Sequence, residues 1–303
     1  MTAAGTDVDG AAGERGRLIN VAYRLLGSLT EAEDAVQEAY ARWYALPPSR
    51  RREVRAPGAW LTTVTGRICL DLLGSARARR ERYVGAWLPE PLPEHPDLAD
   101  LAHQVVLDES VAMAFLVVLE SMTPAERVAF VLHDVFRYPF TEIAAVLDRT
   151  PAACKQLASS ARRRAGAAPT PAAATTRAAA MAEAQADTVR RVREAWQSKD
   201  IAGLVAVLDP AAVMTADGGG LVGAALRPVE GGARIADYML AIADRAPGLE
   251  LLERPVNGAP GLVARRAGVV LTVASFDVSD DGRVTRIWAV RNPEKLRPWV
   301  REG

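Results

Sequence analysis

The chain has 303 residues, enough for two or three domains at roughly 100–200 residues each. No apolar run approaches the roughly 18–20 residues that a membrane span needs, and the N-terminus lacks the basic start and apolar core of a signal peptide. Its two cysteines, Cys69 and Cys154, form neither a disulfide framework nor a zinc ligand set. We therefore expect a reduced, cytoplasmic protein with no metal and no cofactor, rather than a secreted or membrane-embedded one.

The net charge of zero hides a strong block pattern. Residues 50–82 carry nine Arg against three acids, residues 83–126 carry eight acids and no Lys or Arg, and residues 149–182 carry six basic residues and no acid. Charge runs are often simple solvated faces. The alternation also fits two separate anion-binding surfaces joined by an acidic connector, as in a nucleic-acid-binding protein.

The first quarter of the chain reads as helices with short breaks. Apolar residues recur at helical spacing up to Gly27, and Thr30 with Glu33 has the capping-box pattern that opens a second helix. In that helix Asp34, Gln37 and Glu38 share one face. A third helix is predicted from about 57 to 82, with an arginine-rich end.

A proline-rich break follows and is too dense in proline for a helix or a central strand. Its apolar Trp87 and Leu88 indicate that it docks onto another surface. Helical patterning resumes from residue 98 to 166, and the alanine-rich stretch at 165–186 is predicted to be a tether.

The last third changes to short alternating segments rich in β-branched residues, with a turn at Asp280-Asp281-Gly282. One helix is predicted near 187–208 and another at 233–246. One or two helices on a strongly curved antiparallel sheet give an α+β domain.

Residues 123–165 carry the strongest motif, a helix-turn-helix. Thr123-Pro124 and Thr150-Pro151 each place a capping threonine before a proline at the first helical position. In the last helix a small, buried stripe is predicted, opposite an outward face suited to base edges and phosphates. The stripe is Cys154, Ala158, Ala161 and Ala165, and the outward face is Lys155, Gln156, Ser159 and Ser160. An ordinary three-helix scaffold is the alternative.

Taken in order, an acidic-polar helix, an arginine-rich helix, a linker and a helix-turn-helix resemble a bacterial extracytoplasmic-function (ECF) sigma factor. EDAVQEAYARWY resembles the region 2 helix that docks on core RNA polymerase, and AWLTTVTGRICLDLL the next element, which opens and reads the −10 promoter segment. Residues 119–164 resemble region 4, which reads the −35 element. Gly66 and Gly74 stand where relatives frequently have Arg, and Leu157 stands where the recognition helix is often polar.

This resemblance implies a division of the chain and a set of contact residues. The domains are region 2 (14–83), a linker (84–108), region 4 (109–166), the tether (167–186), a cone (187–291) and a C-terminal tail (292–303). Core polymerase is expected to contact Asp34, Gln37, Glu38 and Arg42. The −10 DNA is expected to contact Trp60, Arg67, Arg77, Arg79 and Arg80. The −35 DNA is expected to contact Thr150, Lys155, Gln156, Ser159, Arg162 and Arg163.

Three further motifs narrow the resemblance to the SigJ-like subgroup, which has a fused SnoaL-like (NTF2-like) cone. They are WLPEP (Trp87, Leu88, Pro89, Glu90, Pro91), DGGG (Asp217, Gly218, Gly219, Gly220) and NPEKL (Asn292, Pro293, Glu294, Lys295, Leu296). Leu221 and Glu294 replace the basic residue and the Asp of relatives. The resemblance implies regulation in cis without a separate anti-sigma factor, activating or inhibiting. DGGG could equally be a plain turn between strands.

Two rival functions remain at this stage. One is a one-component regulator with a helix-turn-helix and a ligand-sensing cone, which leaves the helix around Asp34 unexplained. The other is a SnoaL-type enzyme with Asp217, Asp237 or Asp277 as a base, but the extension contains no His. We expect no enzyme activity; a cone pocket for a small apolar ligand is the more favoured use of this domain.

Overall fold

The computed structural model describes residues 13–80, 83–93, 112–166 and 177–300, with the side chains of 76–80 and 177–181 outside the description. Within these ranges no helix is both long and apolar enough to cross a membrane. The chain forms two compact units. The first comprises the described residues up to 80 and from 115 to 166; the second comprises 83–93, 112–114 and 177–300.

The first unit is entirely helical. Its helices are α1 (Arg15–Leu26), α2 (Leu29–Ala45), α3 (Pro48–Glu53), α4 (Pro57–Arg80), α5 (Met113–Leu119, whose first two residues belong to the second unit), α6 (Pro124–Phe130), α7 (Phe140–Leu147) and α8 (Pro151–Ala165). A π-helical turn, Val131–Val135, extends α6.

The start of α2 corrects one prediction. Ser28, not Thr30, is the N-cap: its extended backbone precedes the helix, and its Oγ accepts a hydrogen bond from the Glu31 N–H at 3.3 Å. Thr30 already lies in the first helical turn, because the helix begins at Leu29. A serine is as good a cap as a threonine, so the sequence allowed both positions.

The predicted helix-turn-helix is confirmed. Helix α7 ends at Asp148 in the left-handed conformation, and Thr150 caps α8 by accepting a hydrogen bond from the Ala153 N–H at 3.2 Å. At the start of α6, Thr123 and Glu126 form a reciprocal capping box.

The helices of regions 2 and 4 share one core. The guanidinium of Arg127, in α6, is 3% exposed and donates to the Leu25 carbonyl at the end of α1 and to the Glu120 carboxylate, at 3.0 and 2.7 Å. The Thr62 hydroxyl of α4 lies 2.9 Å from the Tyr138 hydroxyl. The described parts of the two predicted domains therefore pack against each other within one compact unit.

The second unit is an α+β cone around one six-stranded sheet. Its helices are α9 (Arg177–Gln197), α10 (Ile201–Val207) and α11 (Gly232–Arg245). Its strands are β1 (Leu208–Asp217), β2 (Val229–Glu230), β3 (Glu250–Val256), β4 (Ala259–Arg266), β5 (Val269–Val278) and β6 (Val284–Val290), in spatial order β2-β1-β6-β5-β4-β3. The sheet is mixed rather than antiparallel as predicted, because β1 and β6 run parallel.

The helices pack on the inner face of this sheet. Val189 and Val192 of α9 and Ile235 of α11 are buried in one apolar cluster with Met214 and Phe276 of the strands. The predicted tether at 167–186 is therefore helical from Arg177 onward, since α9 begins there. The predicted single helix near 187–208 is two helices, because α10 is capped separately by Asp200.

Candidate functional site

The polar face of α2 is presented as predicted. Asp34, Gln37 and Glu38 are exposed, while Ala35, Ala39 and Trp43 on the opposite side are buried. Arg42 is also exposed and forms an ion pair with Glu38, Nε to Oε1 2.8 Å. The helix thus offers a continuous polar surface that could bind another protein.

The residues predicted to contact −10 DNA differ in their surroundings. The Trp60 ring, half-buried, lies against the Trp43 ring with 5.2 Å between centroids. The Arg67 guanidinium donates from Nε and Nη2 to the Ala145 carbonyl of α7, at 3.2 and 2.7 Å. Arg67 is therefore engaged by the helix-turn-helix of the same unit. The side chains of Arg77, Arg79 and Arg80 lie outside the description.

Gly66 explains how α4 and α7 approach each other. A Cβ at Gly66 would lie 2.8 Å from Cγ1 of Val146, which is 3% exposed, whereas a Cβ at Gly74 of the same helix would meet no atom within 4 Å. The glycine at position 66, where the resemblance implies an arginine, is thus a packing residue. At position 74 the structure shows no such reason.

Helix α8 presents much of its predicted DNA-reading face. Lys155, Gln156 and Arg163 are exposed and Ser159 is half-buried. Cys154, Ala158 and Ala161 are buried as predicted, but Ala165 is only partly so. Leu157 is also half-buried, so this position contributes to packing rather than to a polar face.

One predicted outward residue faces the protein instead, and a second stays exposed while it pairs with a carboxylate of the same unit. The Ser160 hydroxyl donates to Glu126 Oε1 at 2.6 Å, so Ser160 ties α8 to α6. Arg162 forms an ion pair with Asp134, Nε to Oδ1 2.6 Å. Burial alone would raise the pKa of Glu126, but the hydrogen bonds from Ser160 and Thr123 and the Arg164 charge lower it below its ordinary value.

In the second unit, residues 83–93, here called the linker segment, are held on the cone around Asp217. Asp217 ends β1 and is fully buried. Its Oδ2 accepts from the Leu88 backbone N–H at 2.9 Å and from Lys295 Nζ at 2.7 Å. Its Oδ1 accepts from the Tyr83 hydroxyl at 2.7 Å and from the Gly219 N–H at 3.0 Å. One carboxylate therefore joins WLPEP, DGGG and NPEKL.

Lys295 completes the charge balance of this cluster. Its side chain is 13% exposed, and Nζ also donates to the Leu88 carbonyl. The ammonium lies 4.1 Å from the centroid of the Trp87 ring and 5.2 Å from that of Tyr83, which adds cation–π attraction. Burial, with the hydrogen bond to Asp217, raises the pKa of Tyr83, so its hydroxyl remains a donor.

The linker segment is anchored at its far end too. The Leu92 N–H donates to Asn257 Oδ1 at 2.6 Å, and the Asn257 N–H donates to the Leu92 carbonyl at 2.8 Å. The Trp299 indole donates to the Pro91 carbonyl at 2.8 Å, and Pro93 forms a β-bridge with Val256. Proline has no N–H, so burying this segment leaves fewer donors to satisfy. We call the cone residues that hold the segment (Asp217, Asn257, Asn292, Lys295 and Trp299) the linker dock.

The three glycines after Asp217 are required by close contacts. A Cβ at Gly218 would lie 2.5 Å from the Val222 carbonyl oxygen, and one at Gly219 would lie 2.5 Å from Asn292 Nδ2. A Cβ at Gly220 would lie 3.0 Å from Cβ of Val84 in the linker segment. Gly219 and Gly220 also adopt φ of 64° and 72°, which favours glycine. DGGG is therefore more than a plain turn.

The comparisons with known proteins match both units. Residues 13–79 match the family model of sigma-70 region 2, and residues 112–164 match that of sigma-70 region 4. The chain is 38% identical over 293 residues to the ECF RNA polymerase sigma factor SigJ of Mycobacterium tuberculosis, covering 93% of this chain and 90% of the relative. The chain belongs to the ECF RNA polymerase sigma factors.

Other relatives agree with this assignment. The sigma factor is 33% identical over 288 residues to the probable ECF RNA polymerase sigma factor SigI of M. tuberculosis, covering 94% of this chain and 92% of the relative. It is also similar to the crystal structure of M. tuberculosis SigJ, with a TM-score of 0.74, 34% identity and coverage of 96% of this chain and 98% of that one. The fused SnoaL-like cone and the SigJ-like resemblance are thereby confirmed.

Sequence reasoning missed Tyr83 of the linker segment and two residues of the linker dock in this sigma factor. Tyr83, Asn257 and Trp299 lie outside the three motifs, yet each forms a hydrogen bond that fixes the linker segment or its anchor. Asn257-Gly258 is a hairpin-turn signal, with φ of 54° and 74°, and it could have placed the β3–β4 turn. No sequence signal distinguished Tyr83 or Trp299 from ordinary aromatic core residues.

The remaining motif residues divide by exposure. Pro89, Glu90 and Pro91 of the linker segment are buried, as are Asn292 and Leu296. Pro293 and Glu294 are exposed, and the Glu294 N–H donates to Asn292 Oδ1 at 3.0 Å, which orients the amide toward Tyr83. Glu294 contributes to this contact through its backbone N–H, so a Glu in place of the Asp that the resemblance implies does not remove the hydrogen bond to Asn292.

The three candidate catalytic carboxylates are not gathered in a pocket. Asp217 belongs to the linker dock, Asp237 is exposed on α11, and Asp277 is half-buried on β5, where burial raises its pKa. None of them lines the apolar cavity inside the cone. Among the described residues, no group of three or more His, Cys, Asp or Glu could hold a metal ion.

Proposed function

We propose that this sigma factor binds core RNA polymerase through the exposed face of α2 and directs it to promoters read by α4 and α8, and that its cone regulates this activity in cis. The observation that carries the regulatory part is the Asp217 cluster. A fully buried carboxylate joins the segment between regions 2 and 4 to the C-terminal extension. Any change in that cluster acts on the segment that connects the two promoter-reading regions.

The −35 element is assigned to α8. Lys155 and Gln156 are adjacent and exposed, so both side chains are open to a ligand in solution. Gln can read an adenine through two hydrogen bonds and Lys a guanine, while the exposed Arg163 suits a phosphate. Thr150 and Arg162 are already engaged as a cap and an ion pair, so Arg162 would exchange Asp134 for DNA on binding.

We further propose that the protein needs no separate anti-sigma factor and works in the cytoplasm, where core polymerase and the chromosome are. The proposal that no anti-sigma factor is needed is supported by the extension, which itself holds the linker segment. We also propose no enzymatic role, because none of the described residues that line the cone cavity is a carboxylate that could act as a general base. A small-molecule ligand in this cavity is considered separately below.

The promoter assignment is tested by three single substitutions in α8. Lys155→Ala and Gln156→Ala should each reduce discrimination between cognate and altered −35 bases by about 1–3 kcal/mol. Arg163→Ala should weaken binding equally on all sequences and lower the salt slope of binding by about one. The measurement is competition for polymerase holoenzyme between promoter variants at several salt concentrations. Unchanged −35 selectivity in both Lys155→Ala and Gln156→Ala would contradict the assignment of this face.

A further inference from the structure

The cone contains an apolar cavity that the linker dock does not use. It has a volume of about 80 Å³ and lies between the inner face of the sheet and helices α9 and α11. Since about 10–15 Å³ measured this way holds one water, the space fits roughly five to eight non-hydrogen atoms. That is the size of a small organic molecule rather than of a cofactor.

The register of the strands explains why the cavity is there. Ala216, Ala289 and Ala274 are directly paired across β1, β6 and β5, and all three line the cavity. Two residues along each strand, Met214, Ile287 and Phe276 close one end with large apolar side chains. A row of methyl groups between larger neighbours leaves space that the helices do not fill.

The other end of the cavity is lined in part by Thr272 and Arg291. In the next inward-facing row, Thr272 of β5 pairs with Ala264 of β4. Val273 pairs with Val290 at the end of β6. Because β5 and β6 are antiparallel, the residue after Val290, Arg291, lies beside Thr272. Among the described residues that line the cavity, Arg291 alone carries a charge, and it is partly buried. The Trp196 indole N–H is already donated to the Met239 carbonyl, 2.7 Å away, so it offers nothing to a ligand.

We propose that this cavity binds a small carboxylic acid, with its apolar body along the alanine row and its carboxylate at Arg291. The apolar end would exclude a polar or doubly charged ligand, because nothing there could replace its water. A guanidinium can bind a carboxylate with charge-assisted hydrogen bonds while one of its N–H groups stays on the Gly223 carbonyl, its partner in the structure.

The position of Arg291 connects this cavity to the linker dock. The backbone N–H groups of Arg291 and Asn292 both donate to the Asp217 carbonyl, at 2.7 and 2.9 Å. A carboxylate that reorients Arg291 would therefore act on the residue that holds the linker segment. This consequence rests on the proposed cis regulation, whereas ligand binding itself does not.

Binding is tested directly on the full-length protein by calorimetry with butyrate, isovalerate and hexanoate, each against its primary amide. The acids should bind about tenfold or more tightly than the amides, because only the acids form a charge-assisted pair. Arg291→Gln should remove this preference and leave the amide affinity unchanged. Ala289→Leu, which fills the alanine row, should abolish binding of both.

The binding measurements decide the ligand proposal without a transcription assay. Equal affinity of acid and amide would overturn the role of Arg291, and undiminished binding to Ala289→Leu would overturn the location. No binding by any of the three acids would overturn the ligand class. An intact preference for acids together with unaltered transcription when the acid is added would leave the site standing and reject only its coupling to the linker dock.

Discussion

Asp217 and Lys295 form the ion pair on which the linker dock depends, and its strength follows from burial. The carboxylate is fully buried and the ammonium is 13% exposed, with 2.7 Å between Oδ2 and Nζ. Removing one partner of a buried pair leaves the other charge without its counterion and costs about 3–5 kcal/mol. The remaining donors to Asp217, from Tyr83, Leu88 and Gly219, should keep the cost near the lower end of that range.

We therefore expect Lys295→Met to lower the free energy of unfolding by about 3 kcal/mol, measured by urea denaturation of the full chain. Lys199→Met is the matched control, because Lys199 pairs with Asp244 but both side chains are more than half exposed. Exposed pairs of this kind contribute about 0–1 kcal/mol. Equal effects of the two substitutions would contradict the assignment of Lys295 as a buried structural cation.

At the residue scale, the sequence was sufficient to identify the three motifs. It could not show that all three contact the Asp217 carboxylate. The motifs were recognised by resemblance, and only the structure shows that one carboxylate receives donors from all of them. Ser160 was placed on the outer face because helical spacing separates it from Cys154 and Ala158. Spacing cannot show that Glu126 of another helix lies within reach of that hydroxyl.

At the scale of elements, the contact between α4 and α7 is the least expected feature of the first unit. It pairs Gly66 with Val146 and places Arg67 on the carbonyl of Ala145. In this arrangement a residue expected at −10 DNA is held by the first helix of the −35 reader.

Two glycine substitutions in α4 separate packing from helix propensity. Gly74→Ala should raise the free energy of unfolding by about 0.5–1 kcal/mol, because alanine favours helix and its Cβ meets nothing. Gly66→Ala should instead lower it by about 1 kcal/mol, since overpacking against Val146 costs more than propensity gains. Denaturant titration measures both.

A rescue variant checks the cause. Val146→Ala removes the methyl group that the new Cβ would meet, so Gly66→Ala should be less costly in that background than in the native chain. If both glycine substitutions stabilise the protein equally, the close approach of α4 and α7 is not present in solution.

Element prediction succeeded where local chemistry was sufficient. The caps at Thr123 and Thr150 fixed the helices of the helix-turn-helix, because capping depends on a few adjacent residues. The parallel pairing of β1 with β6 could not be predicted, since those strands are separated by more than sixty residues and their alternation is the same in either direction. The start of α9 at Arg177 was missed because the composition of that segment is equally typical of tethers.

At the scale of the whole molecule, the linker segment ties the cone to the part of the chain between regions 2 and 4. The segment follows region 2 and precedes region 4 in the sequence, yet residues 83–93 pack with the C-terminal unit. The anchors at Asp217 and Asn257 hold both of its ends. The extension is thus built around a piece of the sigma factor rather than appended to it.

The fold class and the family were predictable from the sequence, because the order of motifs along the chain carries both. The packing of regions 2 and 4 in one unit was not, because it depends on contacts such as Arg127 with Leu25 that link residues about a hundred positions apart. A buried arginine reads in the sequence as one more charge on a helix.

The most direct test of cis regulation is transcription in vitro with bacterial core polymerase on a cognate promoter. It compares the native chain, Trp87→Ala/Leu88→Ala and the control Val269→Ala, whose side chain is exposed on β5. We predict promoter-specific transcripts that require the protein, changed about fivefold or more by the double substitution and unchanged by the control. Equal transcription from all three would contradict regulation through the linker dock, and no promoter-specific transcript from any of them would contradict the sigma function itself.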